Sequence, residues 1–344
     1  MNREEAIAHG MEVHETKHSM KRRSPWHNYH RIGTYMLTLV VEGRVPLFGE
    51  VKGRADAAKG TADAPRIEFS ELGNTIFREE ICKISRFYPQ VEVWKVCIMP
   101  DHIHMIVRVK EDLPPGKHLG QIVKGFKTGC SRAWWALSSP SGKTEGTVTT
   151  VPSDSPEAHR PVLFETGYND KILMHEGQLD NWKDYLDDNP RRLLLKRQNP
   201  RLFTVLDDME LAGHRCQIVG NRFLLDIPDK MAVIVHRRYT DEENARLREE
   251  WLACGERGGV LVSAAISPKE KEVLREAMNR GYRIVLLREN GFPKLYKPSG
   301  EAFNACSEGL LLQISPWEYH MEKKTITRAQ CLELNTMAER IAEG

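Results

Sequence analysis

Apolar residues along the chain recur either at helical spacing or in short alternating or unbroken runs, and turn residues separate the two patterns. Tyr35-Met36-Leu37-Thr38-Leu39-Val40-Val41 is an unbroken run closed by Glu42-Gly43, and it predicts a buried strand. The stretch 52–64, rich in Ala, Gly and charge, reads as a mobile loop with a short strand over 66–69 on its far side. Leu72, Ile76, Ile81, Ile84 and Phe87 then keep helical spacing until Tyr88-Pro89 stops the helix. Two strands rich in Val and Ile follow on either side of Pro100-Asp101, a β-hairpin in which Val91, Val93, Lys95 and Cys97 alternate with Glu92, Trp94, Val96 and Ile98. Pro114-Pro115-Gly116 breaks the chain before a helix over 118–137, with Leu119, Ile122, Val123, Phe126 and Cys130 as its apolar stripe. The Ser-, Thr-, Gly- and Pro-rich stretch 138–161 reads as a flexible insertion. A helix from about 176 is expected to end or kink at Asn189, because Pro190 lacks an N–H and disfavours helical geometry before it; a second helix covers 191–198. Strand, helix, hairpin and helix together predict an antiparallel sheet with helices on one face. This is an α+β domain of ferredoxin-like type over 24–200, preceded by a helical or loose arm over 1–23.

Beyond Pro200 the strands are apolar throughout, at 231–235, 259–262, 283–287 and 310–314, and helical patterns separate them at 241–254 and 268–280 and close the chain at 327–341. Continuous apolar strands joined by helical crossovers predict a parallel sheet covered on both faces, so 201–344 reads as an α/β, Rossmann-like domain.

Composition changes little in this picture. No run of 18 apolar residues occurs and the N-terminus is polar, so neither a membrane span nor a secretory signal is expected and the cytoplasm is the default compartment. Seven scattered cysteines without a Cys-x-x-Cys pair argue against a disulfide framework and a structural zinc site. A net charge of +2 excludes nothing, but basic clusters stand at Lys21-Arg22-Arg23, at Lys117, Lys124, Lys127 and Arg132, and at Arg191, Arg192, Lys196 and Arg197.

Candidate chemistry concentrates in the hairpin. With a side-chain period of two, His102 and His104 point to one face of the second strand, within reach of one metal ion. Tyr185 and Asn189, four residues apart, share a helix face.

Met99-Pro100-Asp101-His102-Ile103-His104-Met105-Ile106-Val107 resembles the His-hydrophobic-His strand of the single-tyrosine HUH transposases of the insertion-sequence 200/605 type, and within them the REP-associated tyrosine transposases. The resemblance extends, in order, over Gly33-Thr34-Tyr35-Met36-Leu37-Thr38, Ile122-Val123-Lys124-Gly125-Phe126-Lys127, Gly167-Tyr168-Asn169-Asp170-Lys171-Ile172 and Tyr185-Leu186-Asp187-Asp188-Asn189-Pro190. It implies a divalent cation, Mg2+ or Mn2+ with zinc left open, bound by His102, His104 and Asn189, and Tyr185 as a nucleophile that forms a 5′-phosphotyrosine and frees a 3′-hydroxyl. The implied substrate is single-stranded DNA carrying imperfect hairpins. Arg22, Arg23, Lys124, Lys127, Arg132, Arg191 and Arg192 are the candidates for phosphate contacts, and Trp26, Trp134 and Trp135 for base stacking. The rival reading is a domesticated sequence-specific DNA-binding regulator without cleavage activity.

Typical short members of the family lack the second domain. There Gly258 to Ala265, followed by Ser267-Pro268 and a helix, place small residues where a nucleotide phosphate could sit, although no Gly-x-Gly-x-x-Gly is present. A nucleotide at that position and a homodimer complete the partners to be tested.

Overall fold

The apolar run at 35–41 becomes strand β1 (Gly33–Val40), an inner strand of a four-stranded sheet. The structure is a computed structural model that describes residues 27–138, 161–236, 238–294, 296–322 and 324–344. The arm at 1–23 with Arg22 and Arg23, Trp26, and all but the two ends of the expected insertion lie outside the described residues. The chain divides into two compact units between Leu194 and Leu195.

In the first unit β1 is followed by a short antiparallel ribbon of β2 (Gly49–Lys52) and β3 (Arg66–Phe69). Next come helix α1 (Glu71–Thr75), a π-helical turn (Ile76–Glu80) and α2 (Ile81–Phe87). The hairpin of β4 (Val91–Met99) and β5 (His102–Val109) leads to α3 (Leu119–Ser138), β6 (Asn169–Leu173) and α4 (Gln178–Gln198). The sheet order is β4-β5-β1-β6, with every neighbouring pair antiparallel. On one face Leu37, Leu39, Ile103, Met105 and Val107 pack with Ile76, Ile84, Ile122 and Phe126 from the helical layer. On the other, Met36 and Ile106 bury Leu186 of α4, with Cys97, Trp182 and Tyr185 around them. Helices therefore cover both faces rather than one. The unbroken apolar run of β1 carries the physical reason, since a strand buried on both sides has no polar alternation to keep.

Two further departures from the sequence reading shape the site. The β4–β5 register shifts between Val93 and Lys95, a β-bulge. Past it the alternation of β4 changes phase: Val91 and Val93 stay on the core face with Val96 and Ile98, while Cys97 joins the small cluster under α4. Helix α4 also runs through Pro190 without ending. An interior proline costs about 3 kcal/mol in an isolated helix. Here Leu186 is 1% exposed one turn before it, and the Asn189 side-chain amide donates to the Tyr185 carbonyl at 3.0 Å, so packing and a side-chain bond hold the turn.

The second unit builds a six-stranded sheet ordered β7-β8-β12-β11-β10-β9. Its parallel strands are β9 (Lys230–Ala232), β10 (Val260–Ser263), β11 (Arg283–Leu287) and β12 (Leu311–Ser315). The antiparallel pair β7 (Leu206–Leu211) and β8 (His214–Gly220) adds one edge. Helices α5 (Asp241–Glu256), α6 (Pro268–Asn279) and α7 (Glu301–Ser307) put Trp251, Leu274 and Phe303 on one face, and α8 (Arg328–Glu343) puts Leu334 and Met337 on the other. Among the described residues no helix is long and apolar enough to cross a membrane.

Candidate metal and tyrosine site

The site lies where the β5 end of the hairpin meets α4, within the first unit. Period two in β5 turns both His102 and His104 toward the α4 face, and their Nε2 atoms stand 3.1 Å apart with the rings edge to face. Each Nδ1 is taken by a different partner. His102 Nδ1 lies 2.6 Å from Asp101 Oδ1, and His104 Nδ1 lies 2.9 Å from Thr38 Oγ1 on β1, its register partner. A carboxylate partner makes Nδ1 the protonated nitrogen of His102 and leaves the Nε2 lone pair free, the arrangement in which an imidazole ligates a metal.

At this distance the two nitrogens either share a proton, one ring donating to the other, or share a cation between their lone pairs. Nitrogens held at about 2.1 Å from one ion come within about 3.0–3.4 Å of each other for right-angled to tetrahedral geometry. The pair fits a shared cation. Among the described residues no group of three His, Cys, Asp or Glu is placed to hold a metal ion. Asn189 is 5% exposed on the facing helix, and with its amide nitrogen spent on the Tyr185 carbonyl its side-chain oxygen is the atom able to ligate.

Tyr185 packs over this pair. Its ring lies 5.7 Å from that of His104 and 5.3 Å from Trp182, both edge to face. The Arg192 guanidinium carbon sits 5.4 Å from the ring centre. Burial pushes the phenol pKa up; the Arg192 charge and a hydrogen bond from the Asn189 side chain oppose it. Burial alone would raise the Asp101 carboxyl, but the His102 hydrogen bond and the Arg44 guanidinium beyond it hold it down at about 2. Burial, with Asp187 nearby, pushes the Cys97 thiol up to about 12, so that sulfur is a neutral filler.

His102, His104 and Tyr185 are thus brought together, and Asn189 joins them through its bonds to Tyr185. Of the proposed phosphate contacts among the described residues, Arg192 alone is placed beside Tyr185. Lys124 and Arg132 belong to α3, on the opposite face of the sheet, where with Lys83 and Lys117 they line a groove of about 890 Å3 between α2 and α3. Lys127 is turned inward and donates to the Glu165 and Gly167 carbonyls, so it staples α3 to the segment before β6. Trp134 packs against the core on the same face, and the Trp135 indole donates to the Pro161 carbonyl. Arg191 forms a two-pronged pair with Asp188 at 2.6 and 3.0 Å, and Arg192 is buried beside Tyr185.

The sequence reading did not mark Thr38 or Asp101 as functional. Asp101 adjoins His102 in the motif and could have been read as its partner; Thr38 is 66 residues from His104 and becomes its neighbour only through strand pairing.

In the second unit, the amides expected to cradle a phosphate are already engaged. The Glu270 carboxylate, 2% exposed, accepts from the backbone N–H groups of Val235, Ile266 and Ser267 at 2.8, 2.7 and 3.1 Å. A carboxylate from the chain itself fills the place of an anion at that helix N-terminus. The parallel strands also follow one another in sequence order, so they contain no switch point of the kind at which such sheets bind nucleotides.

No family model matches the chain. It is 26% identical over 137 residues to an uncharacterized protein of Haemophilus influenzae, a match covering 35% of this chain and 68% of that one. Among solved structures it is similar to a REP-associated tyrosine transposase bound to a REP hairpin, at 14% identity over 49% of this chain and 73% of that one, with a TM-score of 0.28. It is also similar to a putative transposase of Deinococcus radiodurans, at 13% identity over 48% and 95% of the two chains and a TM-score of 0.26. A third likeness is to DNA processing protein A of Helicobacter pylori, described for its single-stranded DNA binding, at 18% identity over 40% and 65% and a TM-score of 0.30.

Proposed function

We propose that the first unit cleaves and rejoins single-stranded DNA by transesterification, as a single-tyrosine transposase of the HUH kind acting near hairpins. The observation that carries this reading is the convergence of two imidazole Nε2 atoms 3.1 Å apart beneath a tyrosine ring 5.7 Å from His104. The β-α-β-β-α-β order of the unit and its β4-β5-β1-β6 sheet support the ferredoxin-like reading, and the four consecutive parallel strands support a Rossmann-like reading of the second unit.

In this reading Tyr185 Oη attacks the phosphorus in line, the P–O3′ bond breaks, and the DNA is left as a 5′-phosphotyrosine and a free 3′-hydroxyl. The phosphotyrosine keeps the bond energy, so a second 3′-hydroxyl reverses the step without ATP. His102, His104 and Asn189 hold Mg2+ or Mn2+, whose chemistry is to neutralise charge developing on the phosphate oxygens. Asp101 and Thr38 fix the two rings so that Nε2 faces inward. Trp182 and Leu186 seat the tyrosine helix on the sheet. A strand threaded singly can present its phosphate in line to a helix-borne tyrosine, whereas a stacked duplex cannot.

The test is incubation of hairpin-bearing single-stranded DNA from the sequences flanking the protein's own gene with Mg2+ or Mn2+, followed by a search for a protein–DNA adduct that survives denaturation. Wild type is expected to give the adduct, Tyr185→Phe none, and His102→Ala neither adduct nor tight Mn2+ binding. An adduct that persists in Tyr185→Phe overturns the nucleophile assignment. Binding without any adduct in wild type favours the regulator instead.

A further inference from the structure

We propose that Trp94 is a base-stacking contact for single-stranded DNA, on the face of the sheet that carries the two histidines. The inference rests on single-stranded DNA as the substrate of that site, and not on the cleavage step.

Trp94 owes its position to the bulge in β4. Val93 pairs with Val107 and Lys95 with Ile106, so Trp94 is the extra residue left without a register partner in β5. Lys95 turns to α4 and pairs with Asp187 at 2.7 Å. Trp94 turns back along its own strand instead. Its indole N–H donates to Glu92 Oε2 at 3.0 Å, and the Arg108 guanidinium carbon stands 5.9 Å from its ring centre. Arg108 follows His102, His104 and Ile106 at period two in β5, so the patch lies on the histidine face of the sheet. Arg108 is four residues along the strand from His104, roughly 13 Å at about 3.3 Å per residue.

Among the described tryptophans Trp94 alone is exposed, at 44%. Trp134 and Trp135, the described tryptophans expected to stack on bases, belong to α3 across the sheet. The single donor of an indole lies in the plane of the ring, so the Glu92 bond fixes the orientation of Trp94 without covering either π-face. Arg108 can stand over only one of the two faces. That guanidinium donates to the Thr34 hydroxyl at 2.9 Å, a neutral partner, and Lys110 pairs with Glu92 at 3.4 Å in an exposed bridge. Two cations are thus set against one carboxylate around an open aromatic ring.

Single-stranded nucleic acid binds to this combination: a base stacks on the ring while the phosphates on either side of it follow the positive charge. A duplex keeps its base faces inside the stack and has none to offer. β4 is also an edge strand, and a bulge on an edge discourages pairing with another chain. A lysine at position 94 would serve that purpose as well, and it leaves an oriented, exposed indole unexplained.

The experiment is binding of the full chain to the hairpin-bearing single-stranded DNA, followed by fluorescence anisotropy in chelator so that no cleavage occurs. A single abasic site is walked along the single-stranded flank. Wild type is expected to lose about 5- to 150-fold in affinity at one position, the worth of one stacked base. Trp94→Ala should bind intact DNA more weakly by a similar factor and be indifferent to an abasic site at that position. Its response to the other positions should match wild type, which separates a lost stack from a misfolded sheet. Trp94→Phe should recover part of both the affinity and the position dependence. Additive losses at every position overturn the proposal, as does wild-type affinity in Trp94→Ala; a changed oligomeric state in that variant, with DNA binding intact, would assign the edge to a second copy of the chain instead. Wild type that shows the position dependence but forms no adduct in Mn2+ keeps Trp94 as a DNA contact and overturns the cleavage reading. Wild type that binds no single-stranded DNA overturns both.

Discussion

Asp101 is the residue on which the orientation of His102 depends. Its carboxyl is held at about 2 against an ordinary 3.8, although burial acts to raise it, because the protonated Nδ1 of His102 and the Arg44 guanidinium favour the anion. The sign follows from the depressed value: the folded state binds the Asp101 proton more weakly than the unfolded chain, so the pairing stabilises above the unfolded pKa and is lost as pH falls through the folded one. With the carboxyl 24% exposed, the shift amounts to about 2 kcal/mol at neutral pH, of which about half is gone by pH 3. Urea midpoints of wild type and Asp101→Asn, measured in chelator, should therefore differ most above pH 5, with the gap about halved at pH 3 and closing further as pH falls through about 2. A gap independent of pH would show that the carboxylate charge contributes nothing. At this scale the sequence was legible where chemistry repeats locally. His102-Ile103-His104 declares its geometry through strand period alone. Neither the Thr38 partner of His104 nor the burial of Arg192 appeared, because a hydroxyl on β1 meets His104 only through sheet pairing, and a buried arginine carries the same letter as an exposed one.

Helix α4 carries everything the hairpin lacks, and its seat is small. Among the described residues its buried apolar contact is the small cluster of Leu186 on Met36 and Ile106, while the opposite face of the same sheet holds a far larger cluster built on α1, α2 and α3. The Lys95–Asp187 pair at 2.7 Å ties its flank to β4, but a pair this exposed contributes little. Leu186→Ala should then cost about 2–4 kcal/mol. Because the cluster is local, the loss is expected first as faster amide exchange across residues 178–194, with β1 and β5 protected as before. Equal acceleration in β1 would mean that α4 and the sheet open together. The helix was visible in the sequence as an element but not as a single one: the proline rule forecast an end or a kink at Asn189, and the helix does not end there, held by Leu186 packing and the Asn189 amide bond. The bulge at Val93 and Lys95 was hidden for a related reason, since an alternating pattern read without its partner strand cannot reveal where two residues face one. Strand β6 escaped because Asn169, Asp170 and Lys171 are poor strand formers on an edge, where backbone pairing with β1 decides.

Across the whole molecule two separate cores answer to different letters in the sequence. The second unit announced itself through unbroken strands separated by helical patterns, and the structure adds three N-terminal capping boxes, at Thr240, Ser267 and Thr327. Its antiparallel edge β7–β8 did not, because Asp207 and Asp208 interrupt the apolar pattern. Glu270 shows how the two units can be told apart by experiment. Its carboxylate completes the capping box at Ser267 and also closes the loop after β9 through the Val235 N–H. Glu270→Ala leaves three half-buried donors without that acceptor, and each costs up to about 1–3 kcal/mol before water or relaxation compensates. The expected outcome is accelerated amide exchange over Val260–Ser263 and Arg283–Leu287, while His102–Val109 keeps its protection and Mn2+ binding at the histidine pair is unchanged. Inorganic phosphate supplies the complementary arm. If the carboxylate stands where an anion would, millimolar phosphate should restore part of the lost protection in Glu270→Ala and do nothing to wild type. Protection lost equally in both units would mean that the fold is one cooperative body despite its two cores; protection lost only in the second, with rescue by phosphate, would show that the Glu270 carboxylate stands where the backbone accepts an anion.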